Sequence, residues 1–232
     1  MLRRTMLVLL LLAPVALAGA YWSGAWRPPP RWDPAAPLEL HAEPNILTGW
    51  KLARMALQPE TCLAAFAVSG RAVEPLPDRP SEVGCPLENV VRLDGEGIAF
   101  RPSRPVVTCP LAAAWALFER HALQPAAARH FNSRVVAVRH LGSYACRNVY
   151  HRSAGRRSEH ATANALDVTG FVLANGREIR LPRDWDRAEA GAFLRELRDG
   201  GCRFFKAVLG PDYNAAHRDH FHFDRGRWGR CS

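Results

Sequence analysis

Lysine is nearly absent from this chain of 232 residues. Of its 31 Lys and Arg, only Lys51 and Lys206 are lysines, leaving 29 arginines. No basic run of five or more occurs, so the net charge of +9 is scattered. Scattered arginine is not the clustered footprint of a nucleic-acid binder, and a nucleic-acid partner is not expected. No apolar stretch reaches the roughly 20 residues of a membrane span. No internal repeat is present, which excludes solenoids and propellers. No Cys-x-x-Cys pair occurs, which argues against a zinc ribbon or a thioredoxin-like site. With 48% hydrophobic and 23% charged residues, the chain is neither disordered, nor collagen-like, nor a multi-span membrane protein.

What is present starts at the N-terminus. Arg3 and Arg4 precede an apolar run, Met6–Ala13, that continues into Pro14-Val-Ala-Leu-Ala-Gly-Ala20. A charged start, a short apolar stretch and small residues make residues 1–20 an export signal or a short N-terminal anchor. Tyr21, Trp22 and Trp26 suit a membrane interface, which allows inner-membrane association through residues 6–26. Either way the rest of the chain is expected outside the cytoplasm, in the periplasm or cell envelope. Six cysteines (Cys62, Cys85, Cys109, Cys146, Cys202, Cys231) fit an oxidising compartment and imply up to three disulfides, with 15 pairings open.

Residues 21–45 are a proline-rich spacer, and a domain over 46–232 follows. Helix is expected over Trp50–Val68, interrupted at Pro59. Strands at Val90–Leu93 and Ile98–Arg101 are joined by the turn signal Asp94-Gly95. Pro110 opens a helix with Leu111, Trp115 and Phe118 on its buried face. Strands follow at Val135–Val138 and Ala165–Leu173, with a return over Glu178–Leu181 after the Asn175-Gly176 turn. Arg187–Arg198 reads as an amphipathic helix ended by Gly200-Gly201, and Phe204–Leu209 and His220–Asp224 as two further strands. Helices interspersed with short strands give an α+β domain built on a small antiparallel sheet.

Two segments carry the chemistry: Ser158-Glu-His160-Ala-Thr-Ala-Asn-Ala-Leu-Asp167 and His217-Arg-Asp219-His220-Phe-His222-Phe-Asp224. His220 and His222, two apart on a strand, face one side. His160 and Asp167 share a site only if the chain folds back between them, which the small residues Ala161–Ala165 permit. Two histidines and a carboxylate, with a fourth position left to water, are what a single catalytic Zn2+ requires. Asp219 and His217 are the candidates for taking the proton of that water. Asp224 reads as a strand-end or supporting carboxylate, and His121, His130, His140 and His151 as structural.

Ser-x-His-x6-Asp followed by a closing His-x-His resembles the LAS metallopeptidases, named for lysostaphin, D-Ala-D-Ala peptidases and the hedgehog signalling domain. The flanking text Cys-Arg-Asn-Val-Tyr, Ser-Glu-His-Ala-Thr-Ala-Asn-Ala-Leu-Asp-Val-Thr-Gly-Phe and Asp-His-Phe-His-Phe-Asp resembles the bacterial extensin-like C-terminal family, over residues 60–232 and most strongly over 142–226. The resemblance implies a hedgehog or D-Ala-D-Ala peptidase-like fold, with His160, Asp167 and His222 as zinc ligands. It implies peptidoglycan stem peptides as substrate, cut by a DD-carboxypeptidase or an endopeptidase. His217-x-x-His220-x-His222 is similar to the penicillin-insensitive murein endopeptidases, where the early histidine helps activate the water. On this reading Asp219 with His217 deprotonates the water and His220 steadies the tetrahedral intermediate or the base. Arg147 and Arg152 stand where similar peptidases place a cation for a substrate carboxylate or carbonyl, and Ser158 lies beside the first ligand. The chain departs from the pattern at Thr162-Ala163-Asn164, where glycine is usual, and at Arg218-Asp219, where tryptophan is frequent. The alternative on the same scaffold is a non-catalytic, zinc-containing binding module of the envelope.

Overall fold

The computed structural model describes residues 2–232, without the side chains of residues 2–5 and 7–11. Of the expected export signal, Met1 and the side chains of Arg3 and Arg4 lie outside what is described. The chain divides into two compact units that part between Ala36 and Pro37. In the first, helix α1 (Leu2–Trp22) precedes a single 3-10 turn, Pro30–Trp32. The Tyr21 hydroxyl donates to Asp33 at 2.7 Å. Among the described residues no helix is long and apolar enough to cross a membrane.

The second unit begins at Pro37, earlier than the sequence suggests, because Leu38 and Leu40 are buried in the core. The Leu40 backbone N–H donates to the buried Ser69 hydroxyl at 2.8 Å. Helices α2 (Thr48–Leu57) and α3 (Pro59–Val68) meet at the expected break, where Pro59 opens the second without needing its missing N–H. Strands β1 (Glu74–Pro75), β2 (Val90–Arg92), β3 (Ala99–Arg101) and β4 (Val106–Thr108) follow. Next come α4 (Cys109–Phe118), a π-helical turn at Glu119–Leu123, α5 (Gln124–Phe131) and β5 (Val135–Gly142). The remainder is β6 (Ala165–Leu173), β7 (Glu178–Arg180), α6 (Leu181–Asp184), α7 (Ala188–Gly201), β8 (Ala207–Leu209), β9 (Phe221–Asp224) and β10 (Arg230–Cys231).

The class is α+β as expected, but the main sheet is mixed rather than antiparallel. Its order is β10-β8-β9-β6-β5-β3, with β7 also on β6, and both outer pairs, β10 with β8 and β3 with β5, run parallel. The expected hairpin at Asp94-Gly95 does not form. β2 joins β1 and β4 in a separate three-stranded antiparallel sheet, whereas β3 crosses to the main one. The bend between them is held from outside, by the buried Glu119 carboxylate accepting from the Glu96 backbone N–H at 2.8 Å. The last helix includes the two glycines thought to end it and stops at Gly201.

α4 is buried along its whole length, from Cys109 to Phe118, so its apolar stripe widens to every face. It packs on α2 and α3. Trp115 and Phe118 also meet Phe223 of β9, with ring centroids 6.2 and 5.3 Å away. Three disulfides close the unit: Cys62–Cys109, Cys85–Cys146 and Cys202–Cys231.

Candidate metal centre

Side chains alternate across a strand, and β9 uses that alternation to divide core from site. Phe221 and Phe223 enter the aromatic core, touching Trp185 and Phe118 among others. His222 and Asp224 turn the other way. β6 pairs antiparallel with β9 so that Asp167 stands opposite His222. Directly opposed residues bring their Cβ atoms to about 5 Å, so the register alone delivers the carboxylate to the imidazole.

His160 arrives by a fold-back. Ser158 caps a short 3-10 helix, Glu159–Thr162, with its hydroxyl accepting from the His160 backbone N–H at 3.3 Å. Ala163 then takes a left-handed conformation, φ 55°, and the chain enters β6. Ala161 and Ala163 are wholly enclosed, which is why small residues stand there. Asn164 secures the turn, donating to Glu159 at 3.0 Å and accepting from the Thr108 hydroxyl at 2.8 Å.

His160 Nε2 lies 3.1 Å from His222 Nδ1 and 3.1 Å from Asp167 Oδ2, and Asp167 Oδ1 lies 2.9 Å from His222 Nδ1. Tetrahedral zinc with bonds of 2.0–2.1 Å spaces its ligand atoms by ~3.3 Å, so the three donors converge at nearly the required spacing. The remaining nitrogen of each histidine faces an acceptor. His160 Nδ1 is 3.2 Å from the Ser143 carbonyl, and His222 Nε2 is 3.1 Å from Asp224 Oδ2. A hydrogen on each of those nitrogens leaves the lone pairs of His160 Nε2 and His222 Nδ1 aimed inward, the tautomers a metal needs. Donor set and outer partners both fit a divalent transition metal.

The electrostatics agree. Burial would raise the Asp167 carboxyl, but its bonds to His160 and His222 hold it well below the usual carboxylate range. Burial opposes charge on His222, yet Asp167 and Asp224 lift it to about 9. Metal binding at His222 Nδ1 would require that nitrogen to be free of a proton. Burial, and then the neighbouring His222 and His220, push His217 down to about 4.

Of the other expected residues, His217 and His220 join the cluster. The His217 ring lies 5.2 Å from that of His220 and 5.8 Å from that of His222. His220 is bracketed by carboxylates, Nδ1 at 2.8 Å from Asp219 and Nε2 at 3.7 Å from Asp167. Asp219 itself, half-exposed, reaches the cluster through His220. Arg147 and Arg152 sit on the loop before His160. The Arg147 carbonyl accepts from the Ser158 N–H at 3.0 Å, and the Arg152 guanidinium lies 6.0 Å from the Tyr150 ring. No ion pair joins either guanidinium to the histidine and aspartate cluster among the described residues. His140 and His130 bond elsewhere, to the Ser103 carbonyl and to Glu196, at 2.8 Å each.

Sequence reasoning missed Ser143, Tyr150 and Asn214. Ser143 acts through a carbonyl, which any residue supplies, so nothing could mark it. Asn214 did carry a signal: it precedes Ala215-Ala-His217 as a helix-capping residue would.

No curated protein and no solved structure matches the chain. Residues 60–232 match the family described as Extensin-like protein C-terminus, and the chain belongs to that family.

Proposed function

We propose that this chain is an exported metallopeptidase with one zinc ion, acting on peptide bonds in peptidoglycan stem peptides or cross-links. The observation that carries the reading is the convergence of His160 Nε2, His222 Nδ1 and the Asp167 carboxylate, with the other nitrogen of each histidine held by an acceptor. The substrate class follows from the resemblance to the LAS metallopeptidases. Three disulfides support an oxidising compartment, and the N-terminal segment supports export to the envelope.

His160, Asp167 and His222 would hold the ion. Zinc, when bound, lowers the pKa of a water to about 7 and polarises a scissile carbonyl. Because Asp219 contacts the His220 ring, we read the remaining roles with His217 rather than Asp219 beside the water. His217, whose ring lies 5.8 Å from that of the ligand His222, suits the acceptor of the proton. Asp219 holds the His220 ring, and His220 donates to the oxygen that becomes negative in the transition state. Arg147 and Arg152 offer planar guanidiniums to a substrate carboxylate, and Ser158 fixes the turn that presents His160.

The test is mass spectrometry of purified muropeptides incubated with the oxidised, zinc-loaded protein. Loss of a terminal D-Ala identifies a carboxypeptidase, and conversion of dimers to monomers an endopeptidase. Unchanged muropeptides with zinc bound would overturn the enzymatic reading in favour of a binding module.

A further inference from the structure

Asn214 opens the 3-10 turn Ala215–His217 and is tied on both ends of its side-chain amide. Its Oδ1 accepts from the Ala216 backbone N–H at 3.0 Å, a group that can only donate, so oxygen and nitrogen of the amide are told apart. The same oxygen lies 2.8 Å from His217 Nδ1, which must then carry the hydrogen. The amide nitrogen donates to the Tyr150 hydroxyl at 3.1 Å and holds the other end. His217 Nε2 is left with its lone pair. The Tyr213 ring closes the far side of His217, 5.4 Å away.

The loop that supplies Tyr150 has an uncommon backbone. Tyr150 and His151 both have positive φ, 56° and 57°. Two successive non-glycine residues in the left-handed region persist only where the surroundings over-determine them. Here Asn148 bridges the loop, its amide donating to the Arg152 carbonyl at 2.9 Å.

We propose that Asn214, locked by Tyr150, is a positioning residue that fixes His217 as a proton acceptor through Nε2; the inference rests on the metallopeptidase reading above. Asp219 and His220 form a similar pair on the neighbouring ring, so each auxiliary histidine has its own orienting partner.

The experiment is histidine nitrogen NMR on the oxidised full chain, zinc-free and zinc-loaded, with the His217 signals assigned by their loss in H217Q. The wild type is expected to hold the hydrogen on Nδ1, N214A to show mixed tautomers, and N214D, which keeps the acceptor, to restore the wild-type state. In muropeptide hydrolysis N214A should lower kcat on the order of 10- to 100-fold with KM and zinc content little changed, and N214D should recover most of the rate. Y150F, which keeps the ring and removes the hydroxyl, should show a smaller loss in the same direction. Hydrogen on Nε2 in the wild type, or an unchanged tautomer in N214A, would overturn the assignment. The tautomer is read whether or not hydrolysis occurs, so failure of the metallopeptidase reading is distinguished from failure of this one.

Discussion

Asp167 and His222 face each other across the β6–β9 pair, with Oδ1 2.9 Å from Nδ1. Both flanking pairs of residues are core, Leu166 and Val168 on one strand and Phe221 and Phe223 on the other, all nearly or wholly enclosed. A one-residue slip would turn the ligands inward and the core outward, so hydrophobic burial enforces the register that assembles the site.

Asp224 should control metal affinity without touching the ion. Its carboxylate receives the His222 Nε2 hydrogen and accepts from the Gly226 N–H at 2.9 Å. Replacing it with alanine is expected to weaken zinc binding by roughly 10- to 100-fold in a chelator competition. H130Q, whose native partner is Glu196, should leave the affinity unchanged.

Removing the Cys85–Cys146 bridge should cost stability and loosen the loop that carries Arg147. The bridge closes 61 residues, and the Tyr144 hydroxyl donates to the Cys85 carbonyl at 3.1 Å beside it. Chain-entropy arithmetic for such a loop gives about 4 kcal/mol. Denaturant unfolding of the double alanine variant should show a loss of that order.

Gly170 is a packing requirement of β6. A Cβ there would lie 2.4 Å from the Ile179 carbonyl oxygen and 3.2 Å from the Arg180 Cα. Both obstacles are backbone, so G170A must push β7 away from β6, at a cost of about 1–3 kcal/mol in thermal or denaturant unfolding.

Asp184 should supply part of the acid sensitivity. Burial would raise its carboxyl, but Arg183, the Arg180 backbone N–H and Arg187 hold it below the ordinary aspartate value. A lowered folded pKa stabilises above the unfolded value of about 3.9 and is lost as pH falls through the folded value. D184N should therefore be less stable than the wild type at pH 6, and the difference should shrink below about pH 4.

The site was legible because its chemistry is compressed into two short segments. His160, Asp167, His217, His220 and His222 declare themselves by type and spacing, although β9 starts only at Phe221, one residue after the expected strand. The supporting shell was not legible, since Ser143 contributes only a carbonyl and Tyr150 acts from a conformation that no residue preference announces. In the fold, local signals held where local physics decides, as at Pro59 between α2 and α3. They failed where long-range pairing decides. Asp94-Gly95 looks like a hairpin turn, yet Phe100 of β3 pairs with Val138 of β5, a partner no local signal names. Leu38 and Leu40 read as spacer because prolines flank them, but both are buried, and the Leu40 N–H bonds the distant Ser69 hydroxyl.

The most direct test of the account is the zinc content of the purified, oxidised protein beside H160A and H222A, measured by elemental mass spectrometry. The account predicts one zinc per wild-type chain and its loss in both variants, with circular dichroism showing the fold retained. A wild type that takes up no zinc, or variants that keep it, would contradict the proposed centre.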